Sequence, residues 1–337
     1  MTQPTKQPTT PRDTAGRPHD EPNAADQIRS TVREGYAAIA KAGTWNLHKE
    51  QAQSEAQDEA QAQNETQSGC CSGAAATKGG GCCGPSTFSP DQLAQAIGYA
   101  NDELDAVPEG ANMGLSCGNP AAIAALKPGE IVLDLGSGGG FDCFIAGAKV
   151  GPTGQAIGVD MTPEMLTKAR ANTVSYRERT GMDNVEFRLG EIEHLPVADN
   201  SVDVVISNCV LNLSPDKPQV WREILRVLGP GGRVAISDIA LLKPLPDSVR
   251  QDLEALVGCV AGAASIDEVR QMAADAGLSD ITLHPKSSYI NAMSDWKDPL
   301  YKMIVEKLPQ GTTPGDYLTS LEVTGSKPCC NCGCKGK

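Results

Sequence analysis

The run IVLDLGSGGGFDCFIAGAKV, residues 131–150, joins an apolar stretch of strand length to five residues of which four are glycine, and then to a segment of helical periodicity. A strand that ends in such a turn and feeds a helix restricts the chain to α/β architecture. Gly136, Gly138 and Gly140 let the backbone bend tightly and approach a ligand with no Cβ in the way. Further apolar runs follow as AIGVD, VEFRL, VDVVIS and RVAISD, with helical segments such as MLTKARANTVSYRER and VWREILRVL between them. This alternation predicts a mostly parallel sheet with helices on both faces. Helices are also expected at about 28–42, 248–263 and 266–276, and late strands at ITLHP and SLEVT.

The 337 residues, 40% apolar, suffice for one large α/β domain with appendages. The pattern divides the chain into a disordered N-terminus (1–27), a helix, Gln-rich spacer and flexible Cys-rich loop (28–89), a core (90–240), a completing part (241–326) and a Cys-rich tail (327–337). A net charge of −13 with no basic cluster excludes nucleic acid and anionic membranes as partners. With no apolar leader and no run of roughly 18 apolar residues, a cytoplasmic protein is expected. Its twelve cysteines therefore need a purpose other than disulfide staples. Six lie in adjacent pairs, Cys70-Cys71, Cys82-Cys83 and Cys329-Cys330, which suit capture of soft ions better than cross-linking.

The second apolar run ends in Asp160, a carboxylate placed to accept the hydroxyls of a ribose. A dinucleotide turn would need glycine where Phe141 stands. The pattern G-x-G-x-G, with Asp134 two positions ahead, instead resembles the first motif of class I S-adenosylmethionine methyltransferases, which have a Rossmann-like fold. Asp160 matches that family's ribose acid, and GEIEHLP matches its adenine segment, which implies roles for Glu191 and Ile192.

Ligands of parallel sheets sit beyond the carboxyl ends of the strands. The fourth run leads straight into Asn208 and Cys209, putting a thiol at that edge. Cys259, in VGCVAGA, and Cys117, in SCGNP, could reach the same mouth. The stretches SCGNP, VLDLGSGGGFDC, GVDMTPEML, GEIEHLPVADNSVDVVISNCVLNLSPDK and VGCVAGA resemble those of bacterial arsenite methyltransferases. The resemblance implies that Cys209 and Cys259, with Cys117 as third, ligate trivalent arsenic and form the catalytic set. It also implies that Met161 and Asn208 border the methyl donor, while Tyr99 either covers the donor or packs. S-adenosylmethionine would be the cosubstrate. Protein thiols would re-reduce arsenic after transfer, with thioredoxin or glutathione restoring them. The N-terminal pairs, the tail and Cys143 are left open between relay, capture and packing. Two rivals stand beside this reading, a methyltransferase for a small organic acceptor and a non-catalytic metalloid-binding protein.

Overall fold

The computed structural model describes residues 23–44, 89–295 and 298–329. The Gln-rich spacer, Cys70, Cys71, Cys82, Cys83, Cys330, Cys332 and Cys334 lie outside these residues, as does the stretch 1–22.

Helix α1 (Ala24–Ala42) starts earlier than the apolar spacing predicts, because the Asn23 side chain accepts the Asp26 N–H and caps it. Three short helices follow, α2 (Pro90–Ala96), α3 (Asn101–Asp105) and α4 (Pro120–Ile123). The core then runs β1 (Ile131–Leu135), α5 (Phe141–Val150), β2 (Gln155–Asp160), α6 (Pro163–Thr180), β3 (Val185–Leu189), β4 (Val202–Asn208), α7 (Lys217–Val227) and β5 (Leu228–Leu241). The remaining elements are α8 (Asp247–Arg250), α9 (Leu253–Val257), α10 (Ile266–Ala276), β6 (Ser279–Lys286), α11 (Ser288–Asp295), α12 (Pro299–Lys307) and β7 (Leu318–Ser326).

The seven strands form one sheet in the order β3-β2-β1-β4-β5-β7-β6. Strands β1 to β5 are parallel, and β7 inserts antiparallel between β5 and β6. The expected mostly parallel sheet with helices on both faces is therefore what the chain builds. From β1 the chain winds outward through β2 and β3, then returns to the other side of β1 at β4. The crevice between the carboxyl ends of β1 and β4 is the topological switch point.

Each sheet face carries an apolar body. Trp221, Ile224 and Val227 of α7 pack with Ala273 of α10 on one side, and Phe144, Ile145 and Tyr176 of α5 and α6 on the other. A third body caps the strand ends, and Cys117, Cys209 and Cys259 are buried in it with Val32, Ile39, Tyr301 and Ile304.

The single helix expected over 248–263 is broken. Helices α8 and α9 are short, and the chain turns at Cys259, whose φ is +63°. Gly262 allows the closing approach, since a Cβ there would stand 2.3 Å from the Asn212 carbonyl oxygen. Helices α11 and α12 were not foreseen in the sequence.

Candidate active site

Beyond the ends of β1, β2 and β4 lies a cleft of about 960 Å³. Seven of the ten residues expected around the methyl donor line it: Asp134, Gly136, Gly138, Asp160, Met161, Ile192 and Asn208. The other three stand off its wall. A Cβ on Gly140 would meet Phe144 and Phe187 at 2.6 and 2.7 Å, so this glycine lets α5 sit close to the sheet. Glu191 is partly exposed and ion-paired to Arg29 and Arg33. Tyr99 is buried behind the wall, where its hydroxyl donates to Asp142 Oδ1 at 2.5 Å.

The glycine turn is tied to β2 by three hydrogen bonds. The Gly136 and Ser137 N–H groups donate to the Val159 carbonyl, and the Gly138 N–H donates to Asp160 Oδ2 at 2.9 Å. The other Asp160 oxygen accepts the Thr162 N–H at 2.8 Å. One carboxylate thus fixes two loops while still facing the cleft.

Three aspartates share this space. Burial raises the Asp160 pKa against its two backbone donors. Asp134 is raised further, first by burial and then by the charges of Asp142 and Asp160. Asp142 is pushed up to about 6 by burial, despite hydrogen bonds from Tyr99 and Asn208. A low-dielectric pocket lined by carboxylates favours a cationic ligand over an anionic one.

Helix α1 roofs the cleft. Arg29, Val32 and Tyr36 recur at three- and four-residue spacing, so all three face the same way and line the cavity. Arg29 reaches Glu191 and Glu193 at 3.5 Å, and Arg33 reaches Glu191 at 3.4 Å. Glu193 is buried and accepts the Ser214 hydroxyl at 2.6 Å. Sequence reasoning missed Arg29, Asp142, Glu193 and Ser214 as cleft residues. Two of them were within reach, since Asp142 stands two residues after Gly140 and Glu193 shares the GEIEHLP segment.

A second chamber, about 460 Å³, adjoins the cleft. Cys209 and Cys259 line it with Tyr36, Tyr289, Tyr301 and Asp298, and Cys209, Tyr36 and Leu115 face both spaces. Cys117 and Cys209 are joined as a disulfide, with Cα atoms 6.1 Å apart. The Cys259 thiol donates to the Cys209 carbonyl at 2.6 Å, and the Tyr36 hydroxyl lies 3.9 Å from its sulfur. Burial, then the charge of Asp238, raises the Cys259 pKa well above an ordinary thiol's, with Tyr36 and Lys217 opposing. The three cysteines are brought together as expected, but not as three free thiols. Among the described residues no group of His, Cys, Asp or Glu is arranged to hold a metal ion; an open three-sulfur site requires the 117–209 bond to be reduced.

Cys209 and Cys259 share a further trait, positive φ values of +57° and +63°. Residues other than glycine reach this region rarely and at a cost of about 1–3 kcal/mol, which the surrounding structure must offset. Each is fixed by its own N–H, Cys209 to the Ser237 carbonyl at 2.8 Å and Cys259 to Leu256 at 3.0 Å.

The remaining candidates sit apart. Cys143 is fully buried in the apolar body beneath α5, and Cys329 is exposed where β7 ends. Lys217, the first residue of α7, is partly buried, and its Nζ donates to the Ser214 carbonyl at 3.0 Å.

Residues 126–277 match the family model of a methyltransferase domain. The arsenite methyltransferase of Halobacterium salinarum is 44% identical over 305 residues, which are 90% of this chain and 67% of that protein. That of Aquipseudomonas alcaligenes is 42% identical over 203 residues, 59% of this chain and 56% of that one. Among solved structures, the arsenic(III) S-adenosylmethionine methyltransferase of Chlamydomonas reinhardtii superposes with a TM-score of 0.51 at 32% identity, covering 71% of this chain and 74% of the other. No helix among the described residues is long and apolar enough to cross a membrane. With a class I methyltransferase fold, and with 44% identity extending over 67% of the Halobacterium salinarum protein, the chain belongs to the arsenite methyltransferase family.

Proposed function

We propose that this chain transfers methyl groups from S-adenosylmethionine to trivalent arsenic held by Cys209, Cys259 and, once reduced, Cys117. The observation that carries the reading is the position of Cys209, which faces both the donor cleft and the adjoining chamber. Arsenic bound to its sulfur is thereby held beside the donor, and proximity of about 3–3.5 Å with aligned orbitals supplies most of the catalysis. The donor contributes a methyl group on a cationic sulfur. The arsenic lone pair forms the new As–C bond as the C–S bond breaks, and the bonding pair remains on sulfur. No proton moves, so the site needs no general base. Asp160 and the Gly136–Gly138 turn are suited to the nucleoside, and Asp134 and Asp142 to the donor's cationic end.

Transfer leaves arsenic formally pentavalent. Oxidation of two thiols to a disulfide releases two electrons and two protons, the amount needed to return arsenic to the trivalent state. The bonded pair Cys117–Cys209 fits the product of that step, and thioredoxin or glutathione would reopen it. Such reductants belong to a cytoplasmic setting. The test is anaerobic turnover of arsenite with isotopically labelled donor and a thiol reductant. Labelled methylarsenicals are expected by mass spectrometry, and binding of both ligands with no labelled product would refute the reading.

Two further outcomes follow from the cleft. Asp142, raised to about 6 by burial, faces Tyr99, Asn208, Asp134 and Glu103. A cationic ligand favours its ionised form, so protonation weakens binding as pH falls through 6. S-adenosylmethionine affinity should drop about tenfold from pH 7 to 5, a dependence that Asp142→Asn should abolish. The pairs from Arg29 and Arg33 to Glu191 are partly exposed, and such pairs contribute roughly 0.2–1 kcal/mol. Replacing both arginines by alanine should weaken donor affinity about two- to fivefold at low salt, with less effect at about 1 M salt, as read by calorimetric titration.

A further inference from the structure

The side chain of Asn208 touches both halves of the site. It closes β4, one residue before Cys209. Its Oδ1 accepts the backbone N–H of Cys117 at 3.0 Å. Its Nδ2 lies 2.9 Å from the Gly118 carbonyl, 2.9 Å from Asp142 Oδ2 and 3.0 Å from the Tyr99 hydroxyl. An amide nitrogen carries two protons, so these three acceptors compete for them. The Tyr99 proton is committed to Asp142 at 2.5 Å, which leaves its oxygen as acceptor. One amide proton can hold the Gly118 carbonyl while the other is drawn by Asp142 and Tyr99 together.

The Cys117–Gly118 segment has little freedom apart from this tether. The Ser320 hydroxyl donates to the Cys117 carbonyl at 3.0 Å, and a Cβ on Gly118 would stand 2.0 Å from Ser237 Oγ. Ser320 and Ser237 do not line the donor cleft, whereas Asn208 and Asp142 do. A charge arriving beside Asp142 therefore acts on the same amide that sets where Cys117 sits relative to Cys209.

We infer that Asn208 is a positioning residue that couples occupancy of the donor cleft to the placement of Cys117 against Cys209, so that donor and arsenical bind with positive cooperativity. The inference rests on the proposed function. A bound donor steadies Asp142 in its ionised form, Asp142 fixes the Asn208 amide, and the amide fixes the Cys117 backbone for arsenic ligation. Coupling of this kind is reciprocal and typically falls between about 5- and 150-fold in affinity.

The test uses the full chain reduced with a phosphine, which does not compete for arsenic as thiols do. Arsenite affinity is measured with and without saturating S-adenosylhomocysteine, which keeps the donor's α-ammonium charge, for the wild type, Asn208→Ser and Asp142→Asn. The wild type should bind arsenite at least about fivefold more tightly with the nucleoside present. Asn208→Ser should reduce that ratio below about twofold. Asp142→Asn should lower it as well, although this residue contacts neither cysteine, and it keeps the measurement decisive if Asn208→Ser fails to fold. A ratio near one in the wild type, or one that survives in the variants, overturns the coupling while leaving the proposed function standing. A wild type that binds neither probe overturns both.

Discussion

Serine at Cys209 or at Cys259 is expected to lower arsenite methylation by at least about 100-fold, with affinity for S-adenosylhomocysteine held within about threefold. Both residues line the chamber beside the donor cleft, and serine offers trivalent arsenic a hard oxygen in place of a soft thiolate. With one sulfur gone, arsenic is either unbound or displaced from the line of attack, and a displacement of about 1 Å can lower the rate about 100-fold. Most of the cleft lining comes from other elements, chiefly the β1 and β2 ends and α1, so nucleoside binding should persist. Cys329→Ser serves as the control, because that thiol is exposed where β7 ends. Its turnover should equal the wild type's. A Cys259→Ser enzyme with near-normal turnover would sink the thiolate site and favour an organic acceptor.

Alanine at Gly136 should have the second largest effect. Gly136 has a φ of +68°, and its new Cβ would stand 2.4 Å from Val210 Cγ2 and 2.6 Å from Val210 Cγ1. The left-handed backbone costs an L-residue roughly 1–2 kcal/mol, and overpacking adds about 1–3 kcal/mol. Val210 also lines the cleft, so relief of the clash pushes its side chain toward the nucleoside. Donor affinity should fall at least about tenfold, with a lower thermal midpoint. Gly138→Ala separates the two causes. Gly138 has a φ of +51°, but its Cβ would meet only Met113 Cε at 3.8 Å and Met165 Sδ at 4.0 Å. It should show the backbone term alone and a visibly smaller loss. Equal effects in the two variants would mean that the contact with Val210 is not what makes glycine necessary.

The parallel core was legible because each strand is short, apolar and bounded by turn residues, and each helix between them keeps its period. Strands β1 to β4 fall where the runs IVLDL, AIGVD, VEFRL and VDVVIS lie, and α10 occupies 266–276 as its capping box at Ser265 and Glu268 dictates. The break within 248–263 was not legible. Its residues read as one helix, whereas the chain turns at Cys259 and packs Gly262 against the Asn212 carbonyl of another loop, too close for a Cβ. Helices α11 and α12 also escaped notice; they complete the chamber with Tyr289 and Tyr301. Glu191 was assigned to the cleft because its position in the loop after β3 matched, but α1, distant in sequence, supplies arginines that draw its side chain away.

The sequence by itself determined the α/β class, the glycine turn, the acid that closes β2 and the candidate set of cysteines. These are local matters of backbone freedom, hydrophobic period and ligand chemistry, written in neighbouring residues. Only the tertiary structure decided which thiols pair, that Cys209 faces both the cleft and the adjoining chamber, and that Asn208 holds the Cys117 segment. Those arrangements depend on residues separated by tens to hundreds of positions, and their distances are fixed only when the sheet closes its switch point and α1 folds across it.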